Sequence, residues 1–297
     1  MADWQCLGKD ANRTLKIVDT LLVVLSDMHS GSSTALFPNR FWQDEWQNHS
    51  PTHRQKEMYK VFEQSAEYAR DNRKGRRLIV VHNGDSIEGI HHNSLQICVL
   101  NKASQAEIHT ELMDTFLRRA KFDRKQGDRL FYVRGTETHV EDKETEIAKD
   151  LSAEKTPAGN WVFDHLELDI NGRLTWFVHH GKGRGRGANE GNALRNWLRD
   201  IYWDCMKTGK RPPDIVYSGH THTATYGNYI IRRGSEFFVM HGVICPSWQE
   251  KTRYAYKVAP VDRNEIGAVF THFSVSGDIR TPYLLLKETS ETKPVSV

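Results

Sequence analysis

Five short apolar runs in this chain are each followed at once by carboxylate or imidazole side chains. Leu21–Leu25 leads into Ser26-Asp27-Met28-His29, and Leu78–Val81 into His82-Asn83-Gly84-Asp85. Leu130–Val133 leads into Arg134-Gly135-Thr136-Glu137-Thr138-His139. Leu174–Val178 leads into His179-His180-Gly181, and Asp214–Tyr217 into Ser218-Gly219-His220-Thr221-His222. Short uninterrupted apolar runs are the pattern of strands buried on both faces. In an open α/β sheet, the loops leaving the carboxyl ends of the strands converge on one crevice. Five such loops bearing Asp and His would line a single cleft.

The segments between the early runs have helical spacing. Thr52–Asn72 carries Met58, Val61, Phe62, Ser65 and Ala69 and ends at Lys74-Gly75, a C-terminal signal. Ala103–Lys125 repeats the style with Ile108, Leu112, Phe116 and Leu117, and Ala188–Met206 does so with Leu194, Trp197, Leu198 and Ile201. From about Tyr226 the pattern changes: Phe237–Met240, Gly267–Val275 and Thr281–Leu286 are expected as strands with no helix between them. Strand–helix alternation followed by strands predicts a layered α/β fold with an antiparallel portion near the C-terminus. No repeat or low-complexity stretch divides the chain, so one domain over 1–297 is expected, with a loose polar tail at 287–297.

With 38% hydrophobic residues the chain can bury a sizeable core, to which Trp42, Trp46, Trp197 and Trp203 are expected to contribute. A net charge of +3 permits a polyanionic partner without requiring one. The cysteines, Cys6, Cys98, Cys205 and Cys245, are scattered, which suits free thiols in a reducing compartment. No apolar run approaches bilayer length. A cytoplasmic protein without a membrane partner is the expectation.

With fifteen histidines in the chain, an H-x-H pair arises by chance about 0.7 times. His220-x-His222 alone therefore decides nothing; recurrence after five strands does. Imidazole mixed with carboxylate suits Mn, Fe, Zn or Ni. On an extended segment residues i and i+2 face the same side, so Asp27 with His29, and His220 with His222, can address one pocket. Gly84, Gly135, Gly181 and Gly219 let backbone approach an ion or substrate closely. Asp85 has two oxygens and can bridge two ions.

The order D-x-H, G-D, G-N-H, H, G-H-x-H resembles the calcineurin-like metallophosphoesterase superfamily. It appears here as Asp27-Met28-His29, Gly84-Asp85, a variant at Gly135–His139, His179-His180 and Gly219-His220-Thr221-His222, over about two-thirds of the chain. The resemblance implies a layered αββα sandwich of two mixed β-sheets flanked by helices. It implies two divalent ions, Mn first, with Fe, Zn, Ni or Mg as alternatives. Asp27, His29 and His222 would hold the first ion and Asp85 would bridge both. His220 and one of His179 or His180 would hold the second, the fragment His180-Gly181 favouring His180. The third block is longer than Gly-Asn-His and lacks Asn, so Thr136, Glu137 or a water would fill that position, with Asn83 a remote alternative. His139 would be the acid or a phosphate contact. Glu88, His91 and His92 would stand behind the ligands. In the glycine-rich loop Gly181–Gly187, Lys182, Arg184 and Arg186 offer contacts to the substrate phosphate. The implied reaction is hydrolysis of a phosphate ester by metal-activated water. A phosphodiester, nucleic acid included, is preferred; a monoesterase acting on nucleotides or phosphoproteins, or a metal-binding protein that has lost the chemistry, are the alternatives.

Overall fold

A computed structural model describes residues 18–43, 48–90, 96–140, 142–182, 189, 191–252, 264–280 and 283–285. The first three apolar runs are β1 (Thr20–Leu25), β2 (Arg77–Asn83) and β3 (Arg129–Val133), which pair in parallel. Between them lie α1 (His53–Arg73) and α2 (Lys102–Arg119), the crossover helices that parallel pairing requires. A single 3₁₀ turn (Arg124–Gln126) leads into β3, and α3 (Glu137–Val140) and α4 (Lys143–Asp150) follow it.

A second sheet begins with β4 (Leu166–Ile170), antiparallel to β5 (Arg173–Val178), and continues through α5 (Asn192–Thr208) to β6 (Ile215–Ser218), parallel to β5. The hairpin of β7 (Thr225–Arg233) and β8 (Glu236–Ile244) completes it, β8 lying parallel to β6. The chain then returns to the first sheet as β9 (Gly267–Phe273), antiparallel to β1, with β10 (Ile279–Arg280) and β11 (Tyr283–Leu285) on its outer edge. The strand orders are β10-β9-β1-β2-β3, with β11 also on β9, and β4-β5-β6-β8-β7. The antiparallel strands near the C-terminus thus form no layer of their own; they extend both sheets.

Strand side chains alternate between faces, and this sorts the apolar runs into layers. Leu21, Val23, Leu25, Leu78, Val80, Leu130 and Tyr132 pack under the first helices with Met58, Phe62, Leu112 and Phe116. Leu22, Val24, Ile79, Val81 and Val133 turn the other way and meet Phe177, Ile215, Tyr217 and Val243 between the sheets. Val216, Met240 and Ile244 face outward again, under Leu194, Leu198 and Tyr202 of α5. Helices, sheet, sheet, helix: the four layers are those of the αββα sandwich. The runs Leu21–Leu25, Leu78–Val81 and Leu130–Val133 are wholly apolar because both faces of their sheet are covered, and each buried Leu or Val is worth about 1.5–3 kcal/mol.

Thr52 caps α1 with a reciprocal box to Gln55, and Lys74 closes it in the left-handed region (φ 38°), just ahead of Gly75. The second helix ends sooner than its spacing predicts. Lys121 turns left-handed (φ 53°), and Asp123 caps the 3₁₀ turn by accepting from the Lys125 N–H at 2.8 Å. One tryptophan departs from the core expectation, Trp203, which is half exposed; Trp46 lies outside the described residues. Among the described residues Cys98, Cys205 and Cys245 are buried free thiols, and no helix is long and apolar enough to cross a membrane.

Candidate metal centre

Because β1, β2 and β3 are parallel, their carboxyl ends share one edge, and the loops beyond them stay zipped together. The Asp27 N–H donates to the Gly84 carbonyl, and His29 and Ser30 donate to the Asp85 and Ser86 carbonyls, each at 3.0 Å. The second sheet brings its loops to the same place. The Gly219 N–H donates to the His179 carbonyl at 3.0 Å, and the His220 N–H donates to the Asp27 carboxylate at 3.0 and 3.1 Å. Carboxylates from one sheet and imidazoles from both therefore meet across the top of the sandwich.

The approach is close. Nε2 of His29 and of His222 stand 3.2 Å apart, and Asp27 Oδ1 lies 3.4 Å from His222 Nε2. Asp85 Oδ2 lies 3.0 Å from His179 Nε2 and 3.8 Å from His29 Nε2, between the two groups of imidazoles. His179, His180 and His220 form a further trio whose ligand atoms all lie within 4.8 Å of one another. Among the described residues, five of the nine non-glycine residues with positive φ are Asp27, His29, Asp85, His220 and His222. Each such backbone costs about 1–2 kcal/mol, so the fold spends strain at this spot to aim side chains inward. Gly135 permits the closest approach: a Cβ there would overlap the backbone and carboxylate of Asp85.

Asp27 and Asp85 are 0% and 1% exposed, and among the described residues their ion pairs are with imidazoles alone. Burial by itself would raise the Asp27 pKa, but the His222 and His179 rings outweigh it and bring it down to about 2. Burial would lower His179, yet Asp85 and Asp27 push it up to about 10. Both directions report carboxylates and imidazoles held face to face in the pocket. A cation about 2.0–2.2 Å from each donor would hold those donors about 3–3.5 Å apart, as they stand. The donor set fits a divalent cation.

Further side chains support the ligands. Glu88, buried, sets Oε2 3.1 Å from His29 Nδ1 and accepts from Gln249 Nε2 at 2.7 Å, which leaves Nε2 of His29 facing the cluster. His139 Nδ1 donates to the Glu88 carbonyl at 2.7 Å, and its ring meets that of His29 edge-on at 4.9 Å. Of Thr136 and Glu137, Thr136 is at the cluster: its N–H donates to Asp85 Oδ1 at 2.6 Å, and its hydroxyl lies 3.3 Å from Asp85 Oδ2. Glu137 is not; it opens α3, is exposed and joins none of the ligand clusters. Asn83 donates its amide to the Val178 carbonyl at 3.1 Å, and its own carbonyl accepts from Ser26 and His179. It ties strands together.

The His180-Gly181 fragment favours His180, but His179 is the buried ring, its Nδ1 held by the Asn83 carbonyl at 2.8 Å and its Nε2 on Asp85. His180 reaches the cluster as well, from the exposed side. Lys182 is exposed, while Arg184, Arg186, His91 and His92 lie outside the described residues.

One residue escaped the sequence reading altogether. Glu144, fully buried on α4, accepts the Gly135 N–H at 2.8 Å with one oxygen and the Ser86 N–H at 3.2 Å with the other. It joins the loop that carries Asp85 to the loop that carries Thr136. Burial pushes its pKa up to about 7 against the pull of those amides. No local signal marks it, since Lys143-Glu144-Thr145-Glu146 reads as a solvated helix face.

No family model matches the chain, and a comparison with curated proteins returns no match. Among solved structures, one similar protein is a conserved uncharacterised protein, described as a predicted phosphoesterase, from Streptococcus pneumoniae. Its identity is 11%, with coverage of 90% of this chain and 98% of that one, at a TM-score of 0.32. A Thermotoga maritima protein is 13% identical over 90% and 99%, at 0.35. A 5'-nucleotidase from Candida albicans is 9% identical over 91% of this chain and 52% of its own, at 0.37. These likenesses are loose, and the chemistry of the site rests on its own geometry. In the order of its ligand blocks and in the four layers that carry them, the chain resembles the calcineurin-like metallophosphoesterase superfamily.

Proposed function

We propose that this chain is a metallophosphoesterase of the calcineurin-like kind, which binds two divalent ions and hydrolyses a phosphodiester, nucleic acid being one class that fits. The observation that carries the reading is the pair of buried carboxylates faced by imidazoles from both sheets, with Asp85 Oδ2 between the two groups. Asp27, His29 and His222 would hold the inner ion, His179 and His220 the outer one, and Asp85 would contact both. Such a pair of ions, Mn2+ being the first to try, would neutralise phosphate oxygens and lower the pKa of an attacking water.

The chain's own groups do the rest. A carbonyl only accepts, so the His139 Nδ1 that meets the Glu88 carbonyl must carry a proton. Nε2 is then the ring atom that exchanges a proton with the leaving oxygen, a contribution typically worth about 10²–10⁴-fold. Glu88 and Asn83 hold the His29 and His179 rings in orientation.

A substrate panel tests this: a bis-phosphate-ester dye, a mono-ester dye, and single- and double-stranded DNA, assayed with added Mn2+ while bound metal is counted. Diester and DNA cleavage is expected. Faster mono-ester release would assign a phosphomonoesterase, and silence at full metal loading would assign a metal-binding protein without catalysis.

A further inference from the structure

We infer that His180 is a ligand in its own right, so that the outer pole of the centre offers three imidazoles and takes Zn2+ or Co2+ in preference to Mn2+ or Mg2+. The inference deepens the dinuclear reading and rests on it.

Adjacent residues on a strand point to opposite faces, so a His-His pair normally divides between two environments. Here the strand stops at Val178, and both rings turn to the same side. The Thr136 hydroxyl lies 3.5 Å from His179 Nε2 and 3.2 Å from His180 Nε2. The His180 ring centroid stands 4.8 Å from that of His179 and 4.6 Å from that of His220. One oxygen, Asp85 Oδ2, faces this trio at 3.0 Å from His179 Nε2. Three ring nitrogens and one carboxylate oxygen make up the four-coordinate set that zinc accepts.

The two poles differ in donor chemistry. The inner one has Asp27 as its own carboxylate with His29 and His222, the His139 ring within reach of His29 and Asp85, and Asp85 shared. The outer one has imidazoles alone apart from Asp85, and the neutral Thr136 hydroxyl is a weak addition. Imidazole suits Zn and its neighbours, whereas carboxylate and water suit Mg and Mn. His180 and His220 are exposed and Asp27 and His29 are buried, so the outer ion is also the one that exchanges with solution.

The test is a Co2+ titration of the whole protein and of His180→Ala and His180→Gln, followed by visible absorption and by equilibrium dialysis with metal analysis. His180 is exposed, so both variants are expected to fold, and circular dichroism checks this. The wild type should bind two equivalents. In both variants the first should be retained, while the second weakens at least about 10-fold and its absorption band changes shape. Zn2+ should displace Mn2+ from the second equivalent of the wild type, with a smaller margin in the variants. A second equivalent with unchanged affinity and spectrum would overturn the role of His180 and leave the dinuclear reading standing. A wild type that binds fewer than two equivalents would overturn both.

Discussion

Asp85 shows how much one residue carries here. Its backbone is left-handed (φ 54°), one oxygen accepts the Thr136 N–H, and the other faces His179 and His29. Asp85→Asn removes the negative charge that both groups of imidazoles face. Turnover should vanish and metal affinity should fall by more than about 100-fold, beyond what changes behind the ligands cost. Near-normal turnover at full metal content would refute the bridging role. Glu144 makes a subtler case, because it touches no ligand side chain. In Glu144→Gln the amide has one accepting oxygen for two backbone N–H groups and opposes the other with a donor. Metal affinity should drop about 10–100-fold while the fold persists. Dialysis on a variant shown to be folded reads this, and unchanged affinity would reduce Glu144 to a structural residue.

Among elements, β1, β2 and β3 are legible because their apolar runs are uninterrupted, and α1 because its caps are local. β4 was missed although Leu166, Leu168 and Ile170 alternate and Asn171-Gly172 turns with φ of 53° and 80°, the two-residue hairpin signature. The end of α2 was not legible, because it depends on Asp128, which waits further along the chain. That carboxylate, fully buried, accepts from Arg73 at 2.7 and 3.0 Å, from the Leu78 N–H at 2.8 Å and from the Asp123 N–H at 2.7 Å. It pins the end of α1, the start of β2 and the turn before β3 at the edge remote from the metal centre. Arg73→Ala strands this charge in the interior and should cost about 3–5 kcal/mol. Urea unfolding measures it, and metal stoichiometry in the folded variant should stay as in the wild type.

At the scale of the molecule, the proposed ligands come from both sheets: Asp27, His29 and Asp85 from the first, His179, His180, His220 and His222 from the second. Bound ions would therefore staple the sheets together across their shared core. At about a hundredfold excess over Kd, binding to the folded state alone adds about 2.7 kcal/mol. At about 2–4 °C per kcal/mol for large domains, a chelator should lower Tm by roughly 5–10 °C, and readdition of Mn2+ or Co2+ should restore it. A Tm indifferent to chelation would mean that no ion links the sheets. By itself the sequence determined the strand cores, the order of the ligand blocks and the residue types at the centre, since hydrophobic period and donor chemistry are local properties. Only the tertiary structure decided that His179 is the buried ring, that Thr136 rather than Glu137 stands on Asp85, and that Glu144 links two loops. Those outcomes depend on which side chains meet across two sheets and on where left-handed backbone turns a donor inward. Neither quantity exists until segments distant along the chain have packed.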